Sequence, residues 1–197
     1  RSLPTDTKKP ISEKMLFNKQ KDLYLYLSAH KSIIDQQSEK SKQMHRGDDF
    51  YALSKIGKYT FAPYIVAARD NTYFCASVIN STLTAWGEQK TTICVKHTIV
   101  ISMTTADRFI TEDEAYYICG ILNSTIVHRY IHASFKSNGI SLKKSQLYLP
   151  EYDEQNDLHR QIAEIAKKAS LTTLPKSEME QVRDHISEIY IEICKKK

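Results

Sequence analysis

Apolar residues in this chain change their spacing twice. In Phe61–Ala68, Tyr73–Ile79 and Thr91–Ser102 they form β-branched and aromatic runs, bounded by Asp70-Asn71 and by Gly87, as strands require. On either side they recur at helical spacing. Leu23, Tyr24, Leu27, Ile33 and Ile34 make one stripe within Lys21–Gln37. Leu158, Ile162, Ile165, Ala166 and Ala169 make a second, and Met179, Val182, Ile186, Ile189 and Ile193 a third. A strand-rich middle between helical ends predicts a mixed α/β fold: a small, mainly antiparallel sheet with flanking helices and a C-terminal helical pair. The two C-terminal stripes are expected to be intramolecular core. Three segments follow: 1–50, helical and connecting; 51–150, the α/β core; and 151–197, the C-terminal helices.

Local signals sharpen the boundaries. Thr111 with Glu114 forms a capping box that opens a helix to about Leu122. Asn123-Ser124 can cap a second helix, Thr125–Phe135, which Ser137-Asn138-Gly139 stops. Ile140, Leu142, Leu147 and Leu149 suggest one more strand, ending at Pro150. Leu174-Pro175 breaks the C-terminal pair, and Ser177 with Glu180 reads as another capping box. Ser38–Asp49 is polar apart from Met44 and reads as a connection.

Composition excludes several classes. With 197 residues and 41% hydrophobic content, the chain can bury roughly 70% of its unfolded surface, so a core is expected. No apolar run approaches the ~20 residues of a membrane-spanning helix. The five glycines are dispersed, whereas a dinucleotide or phosphate loop needs them clustered. Cys75, Cys94, Cys119 and Cys194 lie far apart without CxxC pairs, which reads as free thiols in a reducing cytoplasm. The chain opens at Arg1-Ser2-Leu3-Pro4 without Met or an apolar signal region, as a piece of a longer protein would.

The net charge is +5, from 28 Lys+Arg against 23 Asp+Glu. Two stretches exclude carboxylates while keeping cations: Phe50–Arg69, with Lys55, Lys58 and Arg69, and Ala115–Pro150, with Arg129, Lys136, Lys143 and Lys144. That pattern suits a surface facing phosphates, although buried strands also lack carboxylates. Catalytic sets are hard to find. The prolines are never adjacent, so the Asp/Asn-Pro-Pro-aromatic turn of an amino-methyltransferase is absent. Asp70, Glu88 and Lys90 can be read as a Mg²⁺ nuclease set, but that spacing is common. His128 and His132 have the separation of a zinc pair, yet Arg129 stands where a metalloprotease has Glu, so packed or surface histidines are expected.

The run Tyr51–Val66 stands apart: a Gly57-Lys58 turn entering an aromatic strand, in which Pro63 forbids a central, fully paired position. Alternation would place Tyr59, Phe61 and Pro63 on one face and Thr60, Ala62 and Tyr64 on the other, with Phe61 in the core. The run resembles the pattern fy-x-l-x-x-iG-x-Ytfap-Y-kV of the C-terminal target-recognition region of adenine-specific DNA methyltransferases. These belong to type II restriction–modification systems, including fused type IIG enzymes. Glu114–Ser124, ending Leu122-Asn123-Ser124, is similar to the family's eA-yl-x-x-x-LNS helix. Ile140 through Pro150, Tyr152, Asp153, Asn156 and His159 resembles its i-x-i-P-x-yd-x-x-n-x-x-h ending. Ile65 replaces the family's Lys, and Gln36-Gln37 replace a frequent basic residue, each removing a cation.

The resemblance covers residues 20–165 and implies a module that grips double-stranded DNA and reads bases. An N-terminal methyltransferase domain of the same protein would hold S-adenosylmethionine and act on adenine. No cofactor, catalytic residue or metal is expected in this segment itself. Its expected DNA contacts are Lys55, Lys58, Tyr59, Thr60, Tyr64 and Arg69, with Lys136, Asn138, Lys143 and Lys144. The alternatives are a specificity module whose C-terminal helices dock a separate catalytic subunit, as in type I specificity subunits, and an autonomous Mg²⁺-dependent nuclease.

Overall fold

The computed structural model describes residues 11–36, 50–51, 57–69, 74–94, 98–135 and 146–196. They fall into two compact units, 1–60 and 61–197. In the first, Ser12 caps α1 (Glu13–Lys19), and α2 (Lys21–Ala29) and α3 (Lys31–Asp35) follow. The single helix expected over Lys21–Gln37 is broken at His30. Its Nδ1–H donates to the Tyr26 carbonyl at 2.8 Å, the acceptor that a continuing helix would offer to the His30 amide. That amide instead reaches Leu27 and Ser28. The Tyr24 hydroxyl donates to Glu13 at 2.6 Å and the Phe17 ring meets Tyr24 edge-on, tying α1 to α2.

The second unit is built on β1 (Ile65–Arg69), the central strand between β2 (Ala76–Ile79) and β5 (Thr98–Ile101), all antiparallel. Both faces of β1 are covered. Val66 and Ala68 face the main core, whereas Ile65 and Ala67 join Ala62 in a smaller cluster with Ile79, Cys94 and Phe109. β3 (Ser81–Leu83) and β4 (Gln89–Thr91) form a separate two-stranded ribbon. The continuous strand expected over Thr91–Ser102 is therefore divided, because Thr91 is committed to pairing with Ser81.

Helix α4 (Glu112–Asn123) lies across β1 and β2 and is packed by α5 (Thr125–Ser134), α6 (Asp157–Ser170) and α7 (Lys176–Lys195). Its capping box forms as expected: the Thr111 hydroxyl accepts the Glu114 amide at 3.2 Å, and Glu114 accepts the Thr111 amide at 2.7 Å. Close packing of α4 on α6 depends on Gly120, where a Cβ would stand 2.9 Å from Ile162 Cγ2. The C-terminal stripes are core: Ile162, Ile186, Ile189 and Ile193 are buried. The fold is thus a small mixed α/β arrangement of antiparallel strands flanked by helices, with α6 and α7 as the C-terminal pair.

Three local expectations are corrected. Lys58–Phe61 is a turn of 3₁₀ helix, and strand begins only at Ile65. The Thr60 amide donates to the Gly57 carbonyl at 3.0 Å, and its hydroxyl accepts the Gly57 amide at 3.1 Å, which coils the backbone. Phe61 is consequently 44% exposed, and Ala62 takes the buried place. The capping box expected at Ser177 does not form, since α7 starts two residues earlier, with Pro175 at its N-cap. Of the strand expected to end at Pro150, residues 140–145 lie outside the described residues, and 146–150 are irregular. Gln146 has φ 54°, and the Tyr148 carbonyl is taken by the Tyr190 hydroxyl.

Candidate nucleic-acid interface

Five of the ten expected DNA contacts fall among the described residues, three in the first unit and two in the second. Lys58 and Tyr59 are exposed on the 3₁₀ turn of the first unit, with the Tyr59 ring so close over Gly57 that a Cβ there would overlap it. Thr60 is turned inward, its hydroxyl occupied by Gly57, so it holds the turn and does not face solvent. Tyr64 is half-buried against the main core. Arg69 ends β1, so it and Tyr64 stand at opposite ends of a five-residue strand, about 17 Å apart. Lys55, Lys136, Asn138, Lys143 and Lys144 lie outside the described residues.

The two other runs behind the family likeness have clear structural work. Leu122 is fully buried, and the buried Ser124 donates its hydroxyl to the Ile121 carbonyl at 2.7 Å, closing α4 where α5 begins. Between them, Asn123 acts as a peptide-like clamp on β2. Its Oδ1 accepts the Ala76 amide at 2.9 Å, and its Nδ2 donates to the Ala76 carbonyl at 2.8 Å. The outer edge of β2 is thereby satisfied by a helix side chain. Cys119 joins the clamp, with Sγ 3.4 Å from both the Ala76 carbonyl and Asn123 Nδ2. Burial pushes its thiol up to about 11, which leaves it an inert packing group.

At the entry to α6, Asp153 accepts the Gln155 amide at 2.9 Å, and Asn156 caps the helix through the Leu158 amide at 3.0 Å. His159 Nδ1 accepts the Asp153 amide at 3.0 Å, so its neutral Nε2–H tautomer is the one present. Burial holds its pKa below the ordinary value, against the pull of the Asp153 carboxylate. The Tyr117, Tyr152 and His159 rings stack into one cluster that joins α4 to this turn.

Sequence reasoning passed over the β3–β4 ribbon. All its strand residues are exposed. Its tip is closed by Gly87 N–H to Thr84 O at 3.0 Å, Thr84 N–H to Glu88 O at 2.8 Å and Glu88 N–H to Thr84 Oγ1 at 3.0 Å. Gly87, at φ 84°, supplies the left-handed residue that such a tip needs. The chain's single tryptophan, Trp86, stands there 72% exposed, with Leu83 at 67%. A tryptophan beside a glycine, within a run of Ser, Thr and Gln, was the available signal.

Glu88 and Lys90 form an exposed ion pair at 2.8 Å, which holds the Glu88 carboxyl below its usual range; Asp70 lies outside the described residues. The His128 and His132 rings lie 4.5 Å apart on α5. Burial first, then His132 and Arg183, lowers the pKa of His128. Among the described residues no three His, Cys, Asp or Glu side chains could hold a metal ion, and no helix could cross a membrane. Comparison of the chain with protein-family models, with curated proteins and with solved structures found no match.

Proposed function

We propose that this chain is a DNA target-recognition module of a restriction–modification adenine methyltransferase. It would hold duplex DNA while a methyltransferase domain of the same protein, carrying S-adenosylmethionine, acts on the extracted adenine. One observation supports this reading above the others. Two of the runs that resemble the family, Glu114–Ser124 and the one ending at His159, meet within the second unit, where Tyr117 packs on Tyr152 and His159.

The test is titration of mixed-sequence duplex DNA with the full 197-residue chain at several salt concentrations. Binding should weaken steeply with salt, at about 0.9 log units per log unit of salt for each phosphate neutralised. Replacing Lys143 and Lys144 together by Ala, or Lys58 by Ala, should lower that slope by about 0.9 for each phosphate that the variant leaves unneutralised. Absence of binding at about 50 mM salt would overturn the reading. The second reading, a specificity module docked to a separate catalytic subunit, cannot use the stripe of the C-terminal helices, since Ile186, Ile189 and Ile193 are buried. It draws support instead from Leu23, Leu25, Tyr26 and Ile33, exposed on α2 and α3. It predicts that the same chain co-purifies with that subunit when no DNA is present.

A further inference from the structure

The β3–β4 ribbon departs from the sheet at the end where Ile79 pairs with Ile65, anchored by Ile79 and Cys94 in the smaller cluster. Beyond that anchor its strand residues are exposed on both faces, although a lone two-stranded ribbon is marginally stable at best. We infer that this ribbon is a base-reading element that enters the major groove of duplex DNA. This rests on the DNA-binding function proposed above.

Three features carry it. The first is shape: the major groove, about 12 Å wide, admits a two-stranded antiparallel ribbon. The second is the chemistry displayed. The register Ser81↔Thr91, Thr82↔Lys90 and Leu83↔Gln89 puts Ser81, Leu83, Gln89 and Thr91 on one face and Thr82 and Lys90 on the other. Amide, hydroxyl and ammonium groups are the partners of adenine and guanine edges, and an aliphatic side chain suits the thymine methyl. Lys90 stands in an exposed ion pair with Glu88, a weak contact that it can exchange for a guanine edge. The third is the hydrogen-bonded tip, which presents Trp86 to solvent as an apolar ring that can meet a thymine methyl. A protein partner fits less well: Ser81–Thr91 offers far fewer residues than the roughly 20–30 a side of a standard protein interface. A groove asks only for the ribbon, with cations elsewhere meeting phosphates.

The experiment is selection from a pool of randomised duplexes with the full chain and with Gln89→Ala, Lys90→Ala and Trp86→Ala variants. Thermal melting serves as the control for folding, which exposed side chains should not disturb. The wild-type chain should enrich a sequence motif. Gln89→Ala and Lys90→Ala should each relax at least one position of it by about 5- to 150-fold, while binding to the unselected pool persists. Variants that enrich the same motif with undiminished discrimination would overturn the inference. So would salt-dependent binding by the wild type without any motif, an outcome that leaves the DNA-binding function standing. No duplex binding at all would overturn both. Ribbon variants that change only self-association, seen by sedimentation, would assign the ribbon to a contact between copies and overturn it as a reader.

Discussion

Two side chains state the residue-scale physics most directly. At Gly87 a Cβ would meet nothing within 4 Å, so the residue is glycine for its backbone angle and not for space. Gly87→Ala should cost about 1–2 kcal/mol in left-handed strain. Because the ribbon is peripheral, this should appear as faster amide exchange at Thr84, Gly87 and Glu88, with little change in global unfolding. Tyr117 is the reverse case. Its ring is fully buried and its hydroxyl has no hydrogen-bond partner; burial, together with neighbouring Tyr190, drives its pKa far upward. Tyr117→Phe removes a desolvated polar group and leaves the stacking on His159 intact. The second unit should gain about 1 kcal/mol, read from urea denaturation.

Among the elements, α4 does most to organise the second unit, through contacts at both of its ends. At its start, Glu114 accepts two hydrogen bonds from Arg108, at 2.7 and 2.6 Å, in addition to closing the capping box. Burial raises the pKa of this carboxyl, but the Arg108 guanidinium and the Thr111 amide outweigh it and hold the group below its ordinary range. At its end, the Asn123 clamp joins the helix to the β2 edge. Asn123→Ala would strand the Ala76 amide and carbonyl and should cost about 1–3 kcal/mol by urea denaturation. Asn123→Asp should be no better, since it keeps an acceptor but sets a charged oxygen against the Ala76 carbonyl. If both variants melt with the wild type, the clamp is incidental and the Leu122-Asn123-Ser124 likeness has no structural content.

At the scale of the whole molecule, stability should fall in two stages as the pH is lowered. His159 and His128 both have depressed folded pKa values, so their neutral forms stabilise the fold. That contribution is complete above the unfolded value of about 6.5 and is lost as pH falls through the lower folded values. Glu114, also depressed, contributes above about 4.5 and loses its contribution below that in the same way. His159→Asn, whose Oδ1 can replace Nδ1 as acceptor for Asp153, should flatten the urea midpoint between pH 7 and pH 5. An unchanged slope would remove His159 from the acid transition. What the sequence alone determined about this protein was local: the Thr111–Glu114 box, the break at Ser124, the stripes of α6 and α7, and a β-rich middle. Caps and stripes act between residues three or four apart, so they stand in the string itself. Only the tertiary structure decided that Thr60 turns inward and Phe61 outward, and that Thr91 leaves its run to pair with Ser81. It also decided that the Tyr190 hydroxyl takes the Tyr148 carbonyl and that Asn123 closes an edge 47 residues away. Those outcomes depend on which distant backbone groups need partners, and that pairing exists only once the segments have packed.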